Sequence, residues 1–148
     1  MPVVLDADVI IAGTLASTGA CHDIIDAWLA GDFEVAVCPQ LLAEVGKSLK
    51  HPRIAGKYQL DLADVEAWVA RLGDEAIRFD DPKDPPRRVP DDPGDDYLIE
   101  LALSSQASAL VSRDRHLGRA QIPAAVTVTG PTAFADGLRR QQRRPHGR

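Results

Sequence analysis

DDYLIELALSSQASALVSRD, residues 95–114, decides how the chain is read. DDYLIELALSSQA reads as a helix, and ASALVS as a short strand that follows it at once. An acid, Asp114, stands just past that strand. A helix that delivers the chain directly into an apolar strand is half of a β-α-β unit.

The same alternation extends in both directions. PVVLD is a β-branched run and reads as a strand. GACHDIIDAWLAGD carries Ile24, Ile25, Trp28 and Leu29 at helical spacing and stops at Gly31. FEVAVC is a second strand, and PQLLAEVGKSLK a helix opened by Pro39. HPRIAGKY reads as a turn or a short irregular helix. DLADVEAWVARLGD puts Leu62, Val65, Trp68, Val69 and Leu72 on one helical face, and EAIRF is a short strand. Residues 80–94 hold five prolines, which excludes a helix or an inner strand. Past Asp114, RDRHLG is a turn or helical piece, AAVTVTG a strand and PTAFADGLRR a helix. Strand then helix, repeated, predicts an α/β fold: a three-layer α/β/α sandwich around a mostly parallel sheet. The short, Val-rich strands suit a sheet covered on both faces.

The 148 residues suffice for one domain and a core built without disulfides. Hydrophobic residues at 45% and charged residues at 26% are globular proportions, which excludes global disorder. No apolar run approaches the ~18 residues of a spanning helix. The first residues lack a basic segment, and Asp6 and Asp8 break their apolar stretch, so a secretory signal is not expected. Cys21 and Cys38 are too few for a disulfide framework and are expected to be buried and inert. These features predict a cytoplasmic protein with no membrane association. The net charge is −5, but Arg139, Arg140, Arg143, Arg144 and Arg148 lie in the last ten residues, which hold no acid. The expected organisation is a single domain over 1–138 and a basic, frayed tail over 139–148, either solubilising or phosphate-touching.

In open parallel sheets, sites form beyond the carboxyl ends of the strands. Acidic residues occupy those places. Asp6 follows the first strand, Asp114 follows ASALVS, Asp95 and Asp96 open the preceding helix, and Glu44 sits one turn into the helix after the second strand. Clustered carboxylates repel unless a cation neutralises them. Hard cations such as Mg²⁺ prefer oxygen ligands shared with phosphates. Each acid also has a local reading. Asp92, Pro93 and Asp95 suit a helix N-terminus, Asp96 a solvated position, Asp114 a cap for RDRHLG, and Glu44 an exposed helical face. Asp6 is the hardest to read locally, because an acid ending a buried strand needs a partner or a metal.

Other chemistries find little support. Gly46-Lys47-Ser48 lacks the preceding glycine of a phosphate loop and falls inside a helix. His22, His51, His116 and His146 are scattered, the first two at the surface. Ser112 can face the acids, but no adjacent base marks it as a nucleophile. Trp28 and Trp68 fall on apolar faces and read as core. A response-regulator-like domain also clusters acids at strand ends, but it would want a late Lys, and none follows Lys83.

VVLDADVIIAG, LLAEVGKSLKHPRI and DDPGDDYLIELALSSQASALVSRDRHL, in this order and at these separations, resemble the PIN (PilT N-terminus) domain. The similarity is greatest to its branch of bacterial toxins akin to VapC, and runs from about Pro2 to Pro131. The resemblance implies an acidic pocket that binds Mg²⁺ or Mn²⁺, cleavage of single-stranded RNA, and a cognate protein antitoxin. Matched residue by residue, the acids are Asp6, Glu44, Asp95 and Asp114. Asp95 is preferred to its neighbour Asp96 because Leu98, Ile99, Leu101 and Ala102 then fall where the family's helix puts them. Asp6, Asp95, Asp96 and Asp114 are the metal-site residues under this reading, and Glu44 holds or orients the attacking water. Ser112 matches a small hydroxyl residue common in the family and, with Arg113 and Arg115, is assigned to substrate. Arg119 lies near the same loop. Two positions depart from the pattern: Asp8, where Asn is common, and His116, where a further acid often stands. The family's toxins pair through helices, so a homodimer is expected, with the 61–72 helix offering its apolar face. The rival readings are a DNA nuclease or a catalytically weak nucleic-acid-binding protein of the same fold.

Overall fold

The computed structural model describes residues 1–89, 95–113 and 122–142. In chain order its elements are β1 (Val3–Leu5), α1 (Ala7–Leu15), α2 (Ala20–Leu29), β2 (Ala36–Val37), α3 (Pro39–Lys50), α4 (Pro52–Lys57), α5 (Leu62–Glu75), β3 (Ile77–Arg78), α6 (Asp96–Ser104), β4 (Ala109–Val111), β5 (Val128–Thr129) and α7 (Pro131–Gln142).

Among the described residues all strand pairings are parallel. β4 lies between β1 and β5, and β2 pairs with β3. A parallel bridge from Val3 to Val35, with the Val3 N–H donating to the Glu34 carbonyl at 2.9 Å, joins the two sets. The strands therefore run in the order β3-β2-β1-β4-β5. From β1 the chain winds outward through β2 to β3, then returns to place β4 on the other side of β1. The crevice between the ends of β1 and β4 is the topological switch point, where open α/β sheets bind ligands.

The centre of the sheet is dry. Val4, Leu5, Leu110 and Val111 are fully buried, as are Leu98, Ile99 and Leu101 of α6, which lies across β1, β2 and β4. Each such side chain contributes about 1.5–3 kcal/mol on burial. α1 packs on α2 and α3, α2 on α7, and α3 on α5. Trp28 is buried as expected, and Trp68 packs at the core edge with its indole N–H donating to Thr14 Oγ1 at 3.1 Å.

One feature differs from the sequence reading: residues 7–15, to which the sequence pattern assigned no element, form α1. HPRIAGKY, read as a turn or a short irregular helix, contains the short helix α4, with Pro52 at its start and His51 Nδ1 accepting from the Arg53 N–H. α7 spans residue 138 and continues to Gln142, and on it Arg139 pairs with Asp23 and Asp136, at 2.7 Å from each. Among the described residues no helix is long and apolar enough to cross a membrane.

Candidate metal centre

The chain leaves β1 at Asp6. Its N–H still donates to the Val111 carbonyl of β4 at 2.9 Å, while its own carbonyl accepts from Val9 and Ile10 and starts α1. One residue thus ends a strand, caps a helix and aims a carboxylate at the switch point. That carboxylate is only 5% exposed. Its Oδ1 accepts from the Asp8 N–H at 3.3 Å, and its Oδ2 accepts from the Ser112 hydroxyl at 2.7 Å. Ser112 is itself buried one residue past β4. Its hydroxyl proton serves Asp6, so Ser112 braces this acid, whatever else it touches.

Glu44 is half-buried on α3. Its charge and that of Asp6 are both felt at the buried phenol of Tyr97 on α6. Burial first, then the charge of Glu44, and more weakly that of Asp6, push the Tyr97 hydroxyl far above its ordinary pKa. The phenol lies close enough to Glu44 to feel its charge. Yet its oxygen has no hydrogen bond of ordinary length and angle among the described residues. The sequence reading did not include Tyr97. Its only signal there was a position two residues after Asp95.

The two adjacent acids behave differently. Asp96 is 2% exposed, and its Oδ1 accepts from the N–H groups of Arg88 and Val89 at 3.0 and 2.8 Å. Its Oδ2 faces the Arg87 guanidinium at 3.6 Å. Asp96 therefore fastens the proline-rich segment to α6, helped by the pair Arg88–Glu100. At the other end of that segment, Asp81 accepts from the Gln40 N–H of α3 at 2.8 Å. Asp95 precedes α6 and is half-buried; its carboxylate makes no capping hydrogen bond to the helix. Asp95 nevertheless stands at the N-cap position of α6.

At the rim, the Nε and NH2 of Arg113 both donate to Asp8 Oδ2, at 3.0 and 2.9 Å. Asp8 is thus matched by a cation. Asp114, Arg115, His116 and Arg119, and the Asp92–Pro93 cap, lie outside the described residues. Gly46-Lys47-Ser48 lies within α3 and shapes no phosphate loop. Neither cysteine forms a disulfide. Burial raises the pKa of both thiols, that of Cys38 to about 11, which suits inert side chains.

A family model described as the PIN domain matches residues 2–116. The chain belongs to the PIN-domain family. The crystal structure of PAE2754 from Pyrobaculum aerophilum is similar in fold, with a TM-score of 0.65 at 19% identity over 95% of this chain and 91% of that one. No curated protein matches.

PIN domains are generally nucleases and typically use divalent metal ions. Among the described residues, no group of three or more His, Cys, Asp or Glu side chains forms a candidate metal cage. The donors present nevertheless suit a hard cation. Asp6, Glu44 and Asp95 offer oxygen alone, and the Asp6 carboxylate is held at the switch point by the Ser112 hydroxyl.

Proposed function

We propose that this PIN domain is a metal-dependent endoribonuclease of single-stranded RNA and the toxin of a toxin–antitoxin pair. The observation that carries the nuclease reading is the Asp6 carboxylate, buried at the switch point and braced by Ser112. Asp6 and Asp95 would hold Mg²⁺ or Mn²⁺ together with Asp114. Such an ion lowers the pKa of water and offsets charge on a scissile phosphate. Asp96 is left out of the direct ligand set, because its Oδ1 is occupied by two backbone donors. Glu44 orients the attacking water. Arg113 and Arg115 contact flanking phosphates, and Arg113 must share or leave Asp8 to do so. An unpaired strand suits this crevice because its bases can be splayed apart.

The toxin half of the proposal rests on the sequence resemblance. The acidic crevice would attract an antitoxin segment bearing Arg or Lys. Tyr58 and Leu62, exposed at the junction of α4 and α5, favour pairing of two copies there. Sedimentation at tens of micromolar (order of magnitude,) should give a dimer, and a monomer would contradict this part.

The test of activity is cleavage of single-stranded RNA and single-stranded DNA in parallel, with Mn²⁺ or Mg²⁺ and with EDTA. RNA should be cut only with metal. Asp6→Asn should lose about a hundredfold or more while remaining folded. Full activity in Asp6→Asn would sink the reading, and cleavage of DNA alone would remove its RNA part.

A further inference from the structure

Tyr97 carries an unexplained hydroxyl. The side chain is 2% exposed, and its oxygen has no hydrogen-bond partner among the described residues. A buried hydroxyl without a partner is unfavourable, and Phe would fill the same space without that cost. The phenol is not misplaced by slack in the structure. It sits in the first turn of α6, next to Asp96, whose bonds to the 88–89 backbone fix this end of the helix. A side-chain acceptor within reach of this phenol is the Glu44 carboxylate of α3, and a phenol O–H donates to a carboxylate.

We propose that Tyr97 is a positioning residue for Glu44: its O–H donates to one Glu44 oxygen in the working site, fixing the carboxylate so that the other oxygen faces the attacking water. The inference rests on the nuclease reading above. It explains why a hydroxyl stands where folding alone favours a phenyl ring. Tyr97 touches neither substrate nor metal in this role, and acts only through Glu44.

Two measurements on the full chain test it. The first compares Tyr97→Phe, Glu44→Gln and the double variant in RNA cleavage with Mn²⁺. Tyr97→Phe should lower kcat about tenfold, the equivalent of one hydrogen bond to a charged group. KM and the Mn²⁺ concentration for half-activity should stay within about twofold. Its unfolding temperature without metal should be equal to or above that of wild type. In the Glu44→Gln background, the same substitution should cost nothing further, since residues acting as one unit are not additive. Full activity in Tyr97→Phe, or losses that multiply in the double variant, would overturn the proposal.

The second measurement needs no activity. The chain has two tyrosines, Tyr58 and Tyr97, so ¹³Cζ-tyrosine labelling gives two resonances. Glu44→Gln should shift the Tyr97 resonance and leave that of Tyr58 in place. No shift at Tyr97 overturns the contact itself. A shift at Tyr97 in a protein that cuts no nucleic acid leaves the contact intact, and overturns the nuclease reading and with it the positioning role.

Discussion

Asp95 and Asp96 are adjacent, identical in chemistry and different in use. Asp96 holds two backbone N–H groups in a buried place, so removing its acceptor should be costly. Asp96→Ala should destabilise by about 2–4 kcal/mol in urea unfolding, because it leaves those donors unpaired. Asp96→Asn keeps an acceptor oxygen and loses only an ion pair to a largely exposed Arg87, so it should cost under about 1 kcal/mol. Equal losses would show that the charge, not the acceptor, holds the segment. The sequence could offer both acids as candidates but could not divide their roles. The partners that capture Asp96 are backbone groups, which carry no residue signature. Cys38 makes a separate prediction. Its folded pKa of about 11 lies above the ordinary value of 9.0, so its neutral thiol is favoured in the fold. Stability from this source is complete below the unfolded value and is lost as the pH rises from about 9 towards 11. Urea midpoints recorded between pH 8 and 10 should fall, and Cys38→Ala should flatten the decline; an unchanged slope would contradict it.

α1 shows what periodicity misses at the scale of an element. ADVIIAGTL is nearly uniformly apolar, because Ala7, Val9, Ile10 and Gly13 are all buried against other elements. A helix covered on several sides has no polar stripe, so its sequence resembles a strand. The end of β1 is set by Asp6, whose carboxylate caps α1 and is the one proposed above as a metal ligand. Amphipathic α5 was legible because one face packs and the other meets water; even so, Leu62, counted on its apolar face, is 58% exposed. α1 and α2 approach so closely at Gly13 that a Cβ there would lie 2.4 Å from the Cys21 carbonyl oxygen. Gly13→Ala should therefore destabilise by at least about 2 kcal/mol, against a helix-propensity gain of about 1. A variant as stable as wild type would mean that the α1–α2 contact yields easily.

At the scale of the molecule, strand order does what no local pattern can. Ser112 and Asp6 stand 106 positions apart and meet at 2.7 Å because β4 returns beside β1. The alternation of strands and helices made that return foreseeable, and strand ends pointed to Asp6 without any distance. The Tyr97 hydroxyl was not foreseeable, since an aromatic ring in an apolar helix reads as core. The central claim is that Asp6 and Asp95, and not Asp96, bind a divalent ion at this switch point. Its most direct test is Mn²⁺-induced stabilisation of wild type, Asp6→Asn, Asp95→Asn and Asp96→Asn, followed by thermal unfolding. At Mn²⁺ about a hundredfold above its dissociation constant, wild type should gain about 2.7 kcal/mol. Asp96→Asn should keep most of that gain, and Asp6→Asn and Asp95→Asn should lose most of it. Equal gains in all four proteins, or the largest loss in Asp96→Asn, would contradict the account.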